Sequence, residues 1–261
     1  SINMFNATIG FVVGAGGMVL RTSDGGVNWG IVSGSFYDDL NSVITRTGSS
    51  ISSTRVTAVG KSSLIIDTSD GGSNWYSGFS TGIANDLLSI CMLRLSPTAY
   101  DTDKIWYVGS SGLILTTTDD QASWTSRNSG TLENLNSIYV VSSTYGAISG
   151  WTVGNDGTII TTVDGGVNWT SETSGAGVAD FNAEGSSAYT GSENLNSIHM
   201  FDEDIGWAVG SGGTILYHSG IPTVTSVSSG IADGSYKVDD MIPITITFDE
   251  VVTVNISGGT P

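Results

Sequence analysis

Four aspartates at one repeated position are the first residues of this chain that could do acid–base chemistry. They are Asp24, Asp70, Asp119 and Asp164. A tryptophan follows each of them five residues later, at Trp29, Trp75, Trp124 and Trp169. An aspartate in a Gly-rich turn accepts hydrogen bonds from backbone N–H groups two residues on. The turn therefore accounts for each carboxylate, and we predict that these residues are structural and that none is catalytic.

The other side chains that could build an active site are few or scattered. Of the arginines, only Arg46 and Arg94 follow the first strand of a repeat unit, so no converging carboxylate-binding cluster is predicted. His199 and His218 are too few for a metal site or a catalytic triad. A glycosidase with paired carboxylates stays open as an alternative, because the spacing of acids between repeats is invisible in sequence. We predict that the chain is not an enzyme.

Acidic loops make calcium the one ion that the sequence leaves open. Three short segments carry adjacent or alternating acids: Asp101-x-Asp103, Asp202-Glu203-Asp204 and Asp239-Asp240. Oxygen-rich loops suit Ca²⁺, but acids in exposed hairpin turns need no ion to explain them. We therefore assign no metal-ligating residues, and we predict no cofactor apart from this open question of calcium.

The aspartates and tryptophans belong to a module that returns along the chain. Each unit begins with a Ser-Ile or Ser-Val pair, at Ser1, Ser42, Ser89, Ser137 and Ser197. A second strand ends in a Val-Gly pair, a β-branched third strand follows, and the tryptophan begins a fourth strand. Four short antiparallel strands in a unit of roughly 45–50 residues form one blade of a β-propeller. We expect the tryptophans to wedge between neighbouring blades.

The turn around each aspartate carries a family resemblance. In units one, two and four it reads Thr-x-Asp-x-Gly-x-x-Trp, which resembles the Asp-box of sialidases and related propellers. The units as a whole resemble the photosystem II stability/assembly factor-like propellers over residues 1 to about 220. This resemblance implies an all-β propeller, but it implies little about function, because such modules occur in unrelated proteins. Gln121 replaces the glycine of the third box, and we expect that turn to be the most strained.

The fifth unit is incomplete in the sequence. Gly220 stands where the box aspartate is expected, and Thr225 stands where the tryptophan is expected. Its fourth strand is expected either from a segment upstream of Ser1 or from residues 221–228. We predict five blades over residues 1–220, with a fragment of a seven- or eight-bladed ring as the alternative.

The repeat pattern of the sequence ends at Pro222. Three segments then alternate with period 2, as half-buried strands do. The sequence from Ala232 resembles the start of a bacterial immunoglobulin-like surface repeat, so residues 221–261 are predicted to be a truncated, partial β-sandwich. Position 1 is serine, and we expect the chain to be processed or excised from a longer protein with further domains.

One irregular connection is the best guide to a binding site. The box tryptophan precedes the next Ser-Ile pair by 13 or 14 residues three times, but Trp169 precedes Ser197 by 28 residues. Fourth-to-first connections emerge on the face where propellers usually bind ligands. Acids and aromatics on this loop could contact a sugar or a protein segment, so the predicted binding residues are Asp180, Phe181, Glu184 and Tyr189.

Composition excludes two classes of partner. The net charge is −17 with only 8 basic residues, so nucleic acids and anionic membrane surfaces would be repelled. No apolar run approaches the ~20 residues of a membrane span. We predict a non-catalytic recognition propeller of a modular extracellular or cell-surface protein that binds a glycan or protein ligand in adhesion. The first alternative is a periplasmic assembly-factor-like scaffold that docks a protein partner, and the second is an Asp-box glycosidase.

Overall fold

The computed structural model describes most of the repeat region and part of the tail. The described residues are 1–32, 36–46, 54–77, 82–94, 103–142, 147–171, 181–183, 191–219, 224–230, 237, 241 and 243–248. Within these ranges every regular element is a β-strand or a short 3₁₀ turn. No helix in the described chain has the length and apolar character needed to cross a membrane.

Three antiparallel sheets of four strands form the first part of the molecule. Sheet 1 contains β1 (Ile2–Met4), β2 (Gly10–Val13), β3 (Val19–Thr22) and β4 (Gly30–Ile31). Sheet 2 contains β5 (Leu40–Thr45), β6 (Val56–Gly60), β7 (Ile65–Thr68) and β8 (Tyr76–Ser77). Sheet 3 contains β9 (Leu87–Leu93), β10 (Lys104–Gly109), β11 (Ile114–Thr117) and β12 (Thr125–Arg127). Each sheet follows the chain order, so each repeat unit is one sheet.

The remaining described strands form two further four-stranded sheets and one two-stranded sheet. Sheet 4 contains β13 (Leu135–Ser142), β14 (Ile148–Gly154), β15 (Ile159–Thr162) and β16 (Thr170–Ser171). Sheet 5 contains β17 (Phe181–Ala183), β18 (Leu195–Met200), β19 (Ile205–Gly210) and β20 (Ile215–Ser219). The tail contributes the two-stranded sheet of β21 (Val224–Ser229) and β22 (Ile244–Phe248). The predicted all-β architecture of four-stranded antiparallel blades is confirmed.

The first strands of the five sheets line one cavity of about 410 Å³. Residues from the first strand of every repeat line it, including Ile2, Val43, Ile90, Ile138 and Ile198. The first strand is therefore the innermost strand of each sheet, as in a β-propeller, and the box tryptophans lie toward the outside.

The core consists of four apolar clusters, one between each pair of consecutive sheets. Between sheets 3 and 4, for example, Trp106 and Val108 pack with Ile138, Ile160 and Trp169. Trp106 is fully buried and Trp169 is 8% exposed. The prediction that these aromatic rings wedge between blades is confirmed at this interface. Burying such rings stabilises the fold because large apolar surfaces leave water.

In three units the serine of the opening Ser-Ile or Ser-Val pair forms a hydrogen-bonded link to the next sheet. The hydroxyl oxygen of Ser42 accepts a hydrogen bond from the backbone N–H of Ile90 in the next sheet, at 3.4 Å. The same contact joins Ser89 to Ile138 at 3.4 Å and Ser137 to Ile198 at 3.2 Å. Innermost strands have no ladder partner on the cavity side, so this hydroxyl satisfies a backbone donor that would otherwise lack one. This explains why serine recurs there.

The fourth strand of sheet 5 corrects the sequence prediction. It comes neither from upstream of Ser1 nor from residues 221–228, but from β17 within the long connection before the unit. Phe181 pairs with His218 and Ala183 pairs with Leu216, antiparallel to β20. The third strand of the unit needs an outer partner, and β17 provides it with an apolar ring in place of the missing box tryptophan. Val224–Ser229 pairs with Ile244–Phe248 instead.

Candidate functional site

Each box aspartate is held by a closed set of hydrogen bonds. In the first turn Asp24 accepts bonds from the hydroxyl of Thr22 at 2.8 Å and from the backbone N–H of Asn28 at 2.9 Å. The Asn28 side-chain amide donates to the second carboxylate oxygen at 2.7 Å. The same pattern surrounds Asp70 and Asp164. The backbone bond spans four residues rather than the two that the sequence argument assumed.

These bonds keep the box carboxylates ionised. The backbone N–H of Asn168 and its side-chain amide lower the pKa of Asp164 well below its usual range. The Ser123 hydroxyl, with Thr117, lowers the pKa of Asp119 to about 2. A general acid needs a raised pKa, so these groups fit the predicted structural role.

The third box turn replaces both glycines and keeps their backbone geometry. Asp120 has φ 54° and Gln121 has φ 70°, in the left-handed region that favours glycine. The prediction of a strained turn is thus supported by the dihedral angles. Gln121 is buried, and its side-chain oxygen accepts a hydrogen bond from the Tyr107 hydroxyl at 3.0 Å. This bond offsets part of the strain.

Asp120 in this turn joins an ion-pair cluster between sheets 2 and 3. Its carboxylate binds the guanidinium of Arg55 at 2.8 Å and that of Arg46 at 2.5 Å. Asp67 lies 3.9 Å from Arg46 and 3.8 Å from Arg55. The Arg46 side chain is only 1% exposed. Two arginines that are separated in the sequence, Arg46 and Arg55, therefore meet in space, but they bind carboxylates of the chain itself.

Burial raises the pKa of two carboxyls near this cluster. For Asp67 the effect of burial outweighs the Thr57 hydrogen bond and the two arginines. Burial likewise raises the pKa of Asp103, and neither of its carboxylate oxygens has a hydrogen-bond partner among the described residues. Both side chains are buried, so a substrate could reach neither without movement of the sheets.

The structure describes one of the four predicted binding residues. Phe181 lies on β17, where it is 4% exposed and packs against His218 at a ring distance of 5.0 Å. It therefore belongs to the core between sheets 4 and 5 rather than to an exposed loop surface. Asp180, Glu184 and Tyr189 lie outside the described residues.

A cleft of about 490 Å³ lies beside the same connection. Ser129–Thr131, between sheets 3 and 4, form one wall, and the Asp156–Thr158 turn forms another. The rest of the lining is formed by Ile159, Ile160, Trp169, Ser171 and Gly191. Fourth-to-first connections and second-to-third turns meet here, so the cleft opens on the face where the sequence placed ligand binding. No sequence motif marks it, because its lining comes from four separate segments.

Two further features that could carry chemistry are a metal site and the single cysteine. Among the described residues no group of three or more potential metal ligands converges, and calcium stays a prediction. Cys91, the one cysteine, is half-buried on the central cavity. Burial raises the pKa of its thiol to about 11, so the thiolate is scarce at neutral pH.

One protein family matches part of the chain. A family model described as Photosynthesis system II assembly factor YCF48 matches residues 1–80, which contain sheets 1 and 2. The chain is similar to that family there, and the match supports an assembly-factor-like β-propeller. No curated protein matches the chain significantly in sequence.

Solved structures extend the likeness to most of the chain. YCF48 from Cyanidioschyzon merolae is 15% identical with a TM-score of 0.55, over 81% of this chain and 66% of that one. The WD40 repeats of RRP9 are 9% identical with a TM-score of 0.59, over 83% and 61%. The GH74 xyloglucanase from Xanthomonas campestris is 16% identical with a TM-score of 0.55, over 80% and 34%. These likenesses show the β-propeller fold. The chain spans about two thirds or less of all three structures.

Proposed function

We propose that the chain is a non-catalytic propeller scaffold that binds an extended segment of a partner protein. The observation that carries this proposal is the 490 Å³ cleft on the face of the fourth-to-first connections. The family model described as an assembly factor supports it as well. An assembly factor holds a protein partner, which corresponds to the scaffold alternative from the sequence.

The lining of the cleft suits a peptide backbone. It consists mainly of small polar side chains and glycines, with Asp156 as an exposed carboxylate. Gly130 has open space where a Cβ would lie, so a partner chain can approach the backbone closely. Backbone and hydroxyl groups provide both donors and acceptors to an extended segment.

Catalysis is not part of the proposal, because the carboxyls described above suit structural roles better than a catalytic one. The box carboxylates are ionised and fully hydrogen-bonded, and Asp67 is enclosed by two arginines. Neither arrangement provides a proton donor beside an open cleft. The xyloglucanase likeness therefore adds a fold and no further argument.

Less evidence supports the adhesion hypothesis than the scaffold proposal. An extracellular or cell-surface location, a glycan ligand, calcium and an immunoglobulin-like tail remain predictions from composition and resemblance. The tail strands β21 and β22 form an antiparallel pair, which agrees with a β-rich segment of any kind. We therefore place the protein-partner scaffold first and glycan adhesion second.

The test is selection of a phage-displayed random-peptide library on the purified chain, followed by affinity measurement for an enriched peptide. Ser171→Trp places a large ring in the cleft from the exposed outer strand β16. We expect this variant to weaken peptide binding by at least about tenfold, because the ring occupies the space of the peptide.

Ser77→Trp is the matched control. Ser77 is exposed, occupies the same register position of sheet 2 as Ser171 does in sheet 4, and lies away from the cleft. Unchanged affinity in this variant supports the site. Equal loss in both variants, or no peptide enriched at all, would refute the proposal. Selective binding on a glycan array would instead favour adhesion.

A further inference from the structure

One turn of the repeat has a left-handed residue at the same position in all five sheets. It is the second residue after the Val-Gly pair, between the second and third strands, and its φ lies between 51° and 67°. Such a backbone favours glycine. Four sheets have glycine or serine there, at Gly16, Ser62, Ser111 and Gly212. Sheet 4 departs from them, because its residue is Asp156.

The fold uses the backbone of Asp156 and not its carboxylate. Its N–H donates to the side-chain oxygen of Asn194 at 3.1 Å. A serine makes the same bond one sheet earlier, from Ser111 to Asn134 at 3.1 Å. The Asp156 carboxylate itself has neither a hydrogen bond nor an ion pair with the described part of the chain. It therefore differs from the box aspartates, whose carboxylates hold their turns together.

This carboxylate lies in the wall of the 490 Å³ cleft. Asp156 is exposed, and it is the only charged residue among the described residues that line the cleft. A carboxylate without a partner can form charge-assisted hydrogen bonds to a cation. A calcium ion needs about six to eight oxygen ligands, and no three potential metal ligands converge in the described ranges. A basic side chain fits this wall better than a metal ion does.

We propose that the partner segment bound in the cleft carries a lysine or arginine whose cation pairs with Asp156. This inference rests on the proposed function, because it names the chemistry of the same partner. The net charge of −17 also attracts a basic segment from a distance. Sheets 2 and 3 have serine at this turn position, so the charge distinguishes the turn of sheet 4 from theirs.

The test compares a peptide enriched from the phage library with the same peptide carrying glutamine in place of its basic residue. We expect enriched peptides to share a lysine or arginine, and we expect glutamine there to weaken binding to the wild type by about tenfold. Asp156→Asn removes the charge, and asparagine tolerates the left-handed backbone. This variant should bind the basic peptide about tenfold more weakly and should bind the two peptides equally well.

Asp204→Asn is the matched control. It removes the same charge from an exposed residue between β18 and β19, at the opposite end of the strands from the cleft, and should leave the affinity unchanged. Asp156→Lys should recover affinity for a peptide with glutamate at the basic position, which a purely structural role of Asp156 would not produce.

The outcomes separate this inference from the proposed function. If Ser171→Trp blocks a peptide that Asp156→Asn binds like the wild type, the charge pairing is wrong and the cleft still binds peptides. Equal losses in Asp156→Asn and Asp204→Asn would also overturn the inference, because the effect would then be long-range attraction. If no peptide is enriched, or if neither Ser171→Trp nor Asp156→Asn weakens the enriched peptide, both proposals are refuted.

Discussion

The interface between sheets 3 and 4 and the interface between sheets 2 and 3 solve one packing problem in two ways. At the first, the Trp106 ring lies against the Gly165–Gly166 turn, where a Cβ on Gly166 would collide with the indole. At the second, Thr57 stands at the aromatic position, and Arg46 and Arg55 reach the box turn instead. The turn there carries Asp120 in place of glycine.

The comparison teaches that the repeat conserves a contact rather than a residue. Sheet 3 reaches the box turn of sheet 4 by an indole, and sheet 2 reaches that of sheet 3 by guanidinium groups. Arg21 makes a third version, donating to the Gly71 carbonyl at 2.8 Å. A bulky ring requires glycine opposite it, whereas a guanidinium permits a carboxylate. The departures at Thr57, Asp120 and Gln121 therefore belong together.

The largest predicted effect tests the aromatic version of the contact. Trp106→Ala should destabilise the fold by about 3–5 kcal/mol, because truncating a buried aromatic leaves a cavity between sheets. Trp207→Ala is the matched control, at the same repeat position but on an exposed face. It should cost below about 1 kcal/mol in the monomer. Urea unfolding of both variants measures the difference, and similar losses would contradict the interface assignment.

The second-largest predicted loss of stability tests the ionic version of the contact. Arg46→Met removes one buried cation and leaves Asp67 and Asp120 with a single arginine, so we expect a loss of about 3 kcal/mol. Arg127→Met, at a half-buried arginine outside this cluster, should cost less. Chemical denaturation provides the measurement. A loss in Arg46→Met no greater than that in Arg127→Met would show that the cluster contributes only packing.

The smallest effect concerns pH and sharpens the comparison of the box turns. The folded pKa of Asp119, about 2, lies below the ordinary value of 3.8. Its ionised form therefore stabilises the fold above about pH 4, and this contribution is lost as the pH falls toward 2. Asp119→Asn should unfold more easily at pH 7 and lose less further stability between pH 4 and 2. Thermal melts across that range decide it, and parallel curves would count against the prediction.

The local structure and the aromatic packing between blades could be predicted from the sequence, whereas the polar contacts between units could not. The strand order, the box turns and the burial of Trp106 follow from spacing and residue type. The cluster of Arg46, Arg55 and Asp120 could not be predicted, because its members lie in separate segments that only packing brings together. Asn28, which caps the first box turn, was visible in the repeated Asn-Trp pair and could have been found.

The candidate site shows the same limit. The sequence identified the connection between Trp169 and Ser197 as irregular. Within it, however, Phe181 forms the outer strand of sheet 5 rather than part of a binding loop. A three-residue strand has no periodicity of its own, and its pairing with β20 depends on tertiary context. The cleft nearby is lined mostly by glycines and small polar residues from four separate segments, which share no motif.

The outer strand of sheet 5 has a consequence for synthesis on the ribosome. Strand β17 is made before β18 and β19, yet its pairing partner β20 comes after both. At roughly 5–20 residues per second, β17 waits a few seconds without a partner. In sheets 1 to 4 the outer strand is made last, so each sheet can form as that strand emerges. In sheet 5 the outer strand β17 is made first, and it packs against sheet 4 before its partner β20 exists. A stalled nascent chain in which β17, β18 and β19 have left the ribosome but β20 has not should therefore leave β17 open to proteases.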